Sequence, residues 1–269
     1  MKSVIQSKLR SIEEKMLVTI PKTKITPPIA MVALKLLKAL HISKIKPSGG
    51  SETQKSSLKS EKDILTILGL PNIPKVKNPK ENSTCLSMNP GYYNGFKRTV
   101  KKPNKCNIIV PEADGVYVVH QPFGSQANPD ILILDVRSGK IVCEFGIEVK
   151  SGGPTWNTHI QTMDRTMMYI AIKKNEVHCF FGEHVRDKES LLIALVWDEL
   201  QRELANELNA QAKKSGKKNL CVAYPKQEFT KLNLNEGREE RHMEIKEWFE
   251  SFLEPSASPK EQEQHSQLA

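Results

Sequence analysis

The 269-residue chain lacks the marks of several common protein classes. Its five cysteines, Cys85, Cys106, Cys143, Cys179 and Cys221, are odd in number and no two stand at CxxC spacing. That sets aside a disulfide framework and a cysteine zinc site, and leaves buried, reduced thiols as the expectation. No apolar run is long enough to cross a membrane, since the longest, residues 28–40, is interrupted by Lys35 and Lys38. The first residues carry no signal-type apolar core, so a soluble, cytoplasmic protein with no membrane partner is expected. The seven histidines form no HxH or HExxH pairing. A Gly-rich phosphate loop followed by Lys-Ser/Thr is missing, and so is a GxSxG elbow. No internal repeat is visible.

What the chain has is positive charge. Forty Lys and Arg against 31 Asp and Glu give a formal net charge of +9, which favours a polyanionic partner. The hydrophobic fraction of 38% suffices for a core diluted by basic segments.

Apolar residues at Val4, Ile5, Leu9, Ile12, Met16 and Leu17 predict a first helix. A second follows from about Ile29 to His41, with proline at its start. Residues 46–60, rich in Ser, Lys and Gly, read as a linker or exposed loop, and a short helix is predicted from Glu61 to Leu68, ended by Gly69 and Pro71. Residues 71–107 show little periodicity. Within and just after their Asn89–Arg98 segment, Lys97, Arg98, Lys101 and Lys102 mix with tyrosines and glycines. This is either a basic arm that tracks phosphates or an ordinary solvated loop.

Strands are predicted at Gly115–His120, at Met168–Ile172 and at Val177–Phe181, and helices at residues 187–213 and 239–253. Leu220–Tyr224 reads as a last strand, and residues 255–269 as a disordered tail. The domain expectation is a helical extension and linker over 1–60 and a main domain over 61–254.

Residues 129–150, PDILILDVRSGKIVCEFGIEVK, read as two strands joined by a turn at Arg137–Lys140. Ile131–Leu134 is an unbroken apolar run, as in a strand covered on both faces. Alternation in the second strand puts Cys143, Phe145, Ile147 and Val149 on one face and Glu148 and Lys150 on the other. Asp130, 18 residues before Glu148, enters the neighbouring strand, so the hairpin can bring two carboxylates and an ammonium together. Such a group is costly inside a sheet unless it has a partner or a task. Oxygen donors of this kind suit a hard cation such as Mg²⁺, and a lysine beside it can orient a water for attack on a phosphodiester. The alternative is a salt-bridged core strand. Glu112 and Asp114, just before the Gly115 strand, either add a third carboxylate or form its entering turn.

Pro129-Asp130 followed by Glu148-Val149-Lys150 resembles the catalytic core of the PD-(D/E)xK nucleases. The longer order, His120-Gln121-Pro122-Phe123-Gly124-Ser125-Gln126, then Pro129-Asp130, Glu148 to Gly153 and Trp156-Asn157, resembles a group of type II restriction endonucleases over about residues 112–185. The resemblance implies an α/β fold with a restriction-endonuclease-like core: a central mixed β-sheet flanked by helices, with an N-terminal helical extension. It implies Mg²⁺-dependent hydrolysis of double-stranded DNA at a specific sequence by a homodimer, leaving a 5′-phosphate and a 3′-hydroxyl. Asp130, Glu148 and the carbonyl of Val149 would hold the metal, and Lys150 would activate the water. Gln121, Gln126, Asn128, Trp156, Asn157 and His159 would face DNA. Trp156, Ile160, Met163 and Met167 also recur at helical spacing, so residues 151–166 read equally as a core-facing helix. Two further readings stand beside this one: a repair or Holliday-junction-resolving nuclease with the same core, and a non-catalytic nucleic-acid-binding protein.

Overall fold

In the computed structural model the hairpin occupies the middle of a five-stranded sheet. The structure describes residues 25–42, 53–77, 82–87, 105–124, 129–151, 165–173, 176–184, 188–216 and 236–253, with Gln6, Ser7, Arg10 and Leu234. The expected helix over residues 3–18, the Leu220–Tyr224 strand and the tail lie outside them.

The sheet strands are β4 (Gly115–His120), β5 (Ile131–Arg137), β6 (Lys140–Ser151), β7 (Met167–Lys173) and β8 (Glu176–Phe180), in that spatial order. All neighbours are antiparallel except β6 and β7, which run parallel. The protein is therefore α/β with a mixed sheet. Three short strands, β1 (Lys75–Val76), β2 (Thr84–Ser87) and β3 (Lys105–Ile108), form a second sheet in the order β1-β3-β2. They lie in residues 71–107, where the sequence offered no periodicity because each strand is only two to four residues long.

The helices are α1 (Pro27–Ile42), α2 (Thr53–Leu68), α3 (Lys188–Lys214) and α4 (Arg238–Glu250). In α1 the two prolines occupy the first turn, where a missing N–H costs nothing. Its buried residues Ile29, Ala33, Leu36, Leu37 and Leu40 form one stripe. That stripe packs with Ile131, Ile133, Phe145, Ile147 and Val149 of the hairpin and with Ile245 and Phe249 of α4 in one apolar cluster. Residues 27–42 thus pack into the core. α2 starts at Thr53 and runs unbroken to Leu68, so the later part of the stretch expected as a linker or exposed loop is helical and residue 60 falls inside that helix. Lys, Gln and Glu are good helix formers, so a stretch without apolar periodicity can still propagate a helix. Gly69, at φ 61°, ends the helix as expected.

The opposite face of the sheet carries Val119, Leu132, Leu134, Val136, Met167, Tyr169 and Phe180, packed with Leu86, Cys106 and Ile108 of the small sheet. In α3, Val196, Ala205 and Ala212 are buried, whereas Leu204 and Leu208, which recur with Val196 at four-residue helical spacing, are exposed.

Two features of the hairpin fix what meets across it. Ser138 and Gly139 both have positive φ, 49° and 69°, which is the two-residue turn whose twist matches paired strands. Arg137 then pairs with Lys140 and Val136 with Ile141, but Asp135 pairs with Cys143. Val142 is the extra residue of a β-bulge and is 52% exposed. From there the register runs without interruption to Ile131 opposite Ile147.

Arg165, just before β7, anchors α4. Its guanidinium donates to Glu183 Oε1 and Glu244 Oε1, both at 2.5 Å, and lies 5.4 Å from the Phe181 ring and 5.5 Å from the Trp248 ring. Replacing Arg165 with alanine removes a bridging pair and two cation–π contacts, so urea unfolding should show a loss of about 1–3 kcal/mol.

Candidate active site

Asp130 stands one residue before β5, and continuing the register places it opposite Glu148. The β5 ladder starts at Ile131 while β6 continues to Ser151, so Glu148, Val149 and Lys150 extend past the end of their neighbour. Pro129 has no N–H to extend the ladder, which helps stop pairing here. The result is a notch at one end of the sheet.

Backbone and side chain interlock across the notch. Asp130 N–H donates to Glu148 Oε2 at 3.2 Å, and Val149 N–H donates to Asp130 Oδ2 at 2.8 Å. Lys150 Nζ donates to Glu148 Oε1. In a strand the N–H and C=O of one residue point to the same side, so the Val149 carbonyl faces the Asp130 side as well. Glu148 lies beside Tyr169 and Lys150 beside Ala171 on β7, which closes the other side. Glu148 is 2% exposed and Asp130 9%, while the Lys150 side chain keeps 26%.

A third carboxylate enters from α2. Glu61 is buried, and its Oε2 is 2.8 Å from His120 Nε2 and accepts from Gln121 Nε2 at 3.0 Å. The sequence reading missed it, although the signal was there. Glu61, Ile64, Leu65 and Leu68 share a helical stripe, so a carboxylate sits where the core expects an apolar residue. The third acidic group is thus not supplied by Asp114, whose Oδ1 instead accepts from Ser138 N–H at 2.7 Å in the hairpin turn.

All three carboxylates are buried. Burial pushes the Asp130 carboxyl up to about 8, helped by the charges of Glu148 and Glu61 and opposed by Lys150 and the Val149 N–H. Burial also raises Glu148, against the pull of Lys150. Burial acts to lower Lys150, but Glu148 and Asp130 outweigh it and leave the ammonium firmly charged. The Asp130 and Glu148 carboxylates, hydrogen-bonded through each other's backbone, offer oxygen donors of the kind that a hard divalent cation takes. Asp130, Glu148 and the Val149 carbonyl are the residues that would hold it.

Of the residues expected to face DNA, Gln121 is described, and its amide is engaged with Glu61. Gln126, Asn128, Trp156, Asn157, His159, Lys97, Arg98, Lys101 and Lys102 lie outside the described residues. His178 is buried on the sheet face that carries Lys150, two strands away.

Among the described residues, three potential metal ligands bring their atoms within 4.8 Å of one another at Glu183, His184 and Glu244. Arg165 already spans both of those carboxylates. His184 Nδ1 accepts from Phe181 N–H at 3.2 Å, which puts the ring proton on Nε2 and leaves no lone pair facing the group. This cluster is a structural ion-pair network.

The chain matches no protein-family model, no curated protein and no solved structure.

Proposed function

We propose that the protein is a Mg²⁺-dependent endonuclease of the type II restriction kind, built on a restriction-endonuclease-like core and cutting double-stranded DNA at a specific sequence. The observation that carries the reading is the notch itself: Asp130 and Glu148 on one sheet face, hydrogen-bonded through each other's backbone, with Lys150 at the exposed rim. A mixed sheet in which a hairpin leads into a parallel strand supports the finer fold assignment.

Asp130, Glu148 and the Val149 carbonyl hold the cation, and Lys150, partly open to solvent, orients the attacking water and offsets charge on the phosphate. Bound Mg²⁺ supplies Lewis-acid polarisation of the phosphate and a lower pKa for its water. Glu61, His120 and Gln121 form a supporting chain that fixes the acidic group from the α2 side. A palindromic site calls for two symmetry-related notches, hence a homodimer.

Plasmid digestion with Mg²⁺, followed by sequencing of the ends, tests the proposal. Discrete fragments with 5′-phosphates are expected. Cleavage only of branched substrates would replace this reading with a junction-resolving one. No cleavage under any metal condition, together with DNA binding, would leave a non-catalytic binder. In the same assay Glu61→Gln should lower the rate by about 10–100-fold, the usual cost of losing support around a metal site.

A further inference from the structure

The sheet face opposite the notch carries a second group of ligand-type side chains. His41, in the last turn of α1, and His242, in α4, approach with ring centroids 5.2 Å apart and planes tilted by 33°. Between these helices lies a cleft of about 20 Å³, lined by both imidazoles together with Leu37, Cys179 and Glu239. That is room for a single ion or water. Glu239 stands three residues before His242 on the same helix and so shares its side.

We propose that His41 and His242 form a transition-metal site that ties α1 to α4, taking a borderline cation of the zinc, nickel or copper class. Imidazole nitrogen suits these ions and not Mg²⁺, so the site is chemically separate from the carboxylates across the sheet. Burial, the facing His41, and the nearby Arg238 and Lys246 hold His242 below the ordinary histidine value, against the pull of Glu239. Glu239 supplies the negative charge that offsets Arg238.

The two helices contribute ligands from opposite ends of the described chain, so a shared ion adds a cross-link to the native state that the unfolded chain lacks. Such a ligand raises the melting temperature in a concentration-dependent way.

The test is Zn²⁺ titration of the full chain by calorimetry and by thermal unfolding, compared with His41→Gln, His242→Gln and Glu244→Gln. One equivalent should bind the parent protein and raise its Tm. Each histidine variant should bind about tenfold more weakly or worse, and Glu244→Gln should bind as the parent does. Zinc X-ray absorption should find two imidazole nitrogens at about 2.0–2.1 Å. Because His41 is exposed, His41→Gln keeps the fold and isolates the ligand effect. Unchanged binding in both histidine variants, loss in Glu244→Gln alone, or no binding by the parent would each overturn the proposal. None of these readouts involves DNA.

Discussion

Glu148→Ala should lower Mg²⁺-dependent cleavage of duplex DNA by about 10³-fold or more, the cost of removing one preorganised electrostatic element from a reaction that depends on charge stabilisation. Asp130→Ala and Lys150→Ala should each fall by a similar factor. The three side chains act as a unit, since Glu148 accepts from both the Asp130 backbone and Lys150. The double variants should therefore be scarcely slower than the singles. DNA binding should persist in all three and weaken steeply with salt, as phosphate contacts release counterions. A Glu148→Ala protein that cuts at the parent rate would remove the catalytic assignment outright.

The second large effect is on stability. Metal-free protein holds Asp130 protonated in the native state well above its ordinary value of 3.8, up to about 8. A raised carboxyl pKa means that the native state binds more protons than the unfolded chain across that interval. Stability is then fully present below about pH 4 and is lost progressively as pH rises towards 8. Asp130→Asn keeps the shape and removes the charge. It should stabilise the metal-free protein at pH 8 by about 1–3 kcal/mol while abolishing cleavage. Adding Mg²⁺ at that pH should stabilise the parent and leave the asparagine variant almost unmoved. Urea unfolding at pH 5 and pH 8, with and without Mg²⁺, measures all four cases. A parent protein equally stable at both pH values without metal would contradict the burial argument.

The hairpin that carries these residues is legible in the sequence. The apolar run of β5 and the alternation of Phe145, Ile147 and Val149 against Glu148 and Lys150 predicted two covered faces, and both are found. The strands at Gly115, Met167 and Glu176 were visible as short apolar runs bounded by polar turns. What escaped depended on contacts between distant segments. Glu61 joins Asp130 and Glu148 only because α2 packs beside the hairpin, and a Ser/Lys-rich stretch hid the start of that helix. The small sheet escaped because its strands are too short to show a period. In α3 the leucine spacing was right for a helix but wrong for burial, since Leu204 is 62% exposed and its neighbour Ala205 only 3%.

The bulge at Val142 has a consequence for how this site arose and how it can be broken. With an unbroken ladder from the Ser138-Gly139 turn, Asp130 would lie opposite Ile147, and its carboxylate would share a side with the helices while Glu148 pointed away from it. One surplus residue, about 20 Å along the strand from Glu148 at the usual rise per residue, is what makes the two acids neighbours. Deleting Val142 changes no side chain of the notch, yet it should separate them as thoroughly as mutating either one.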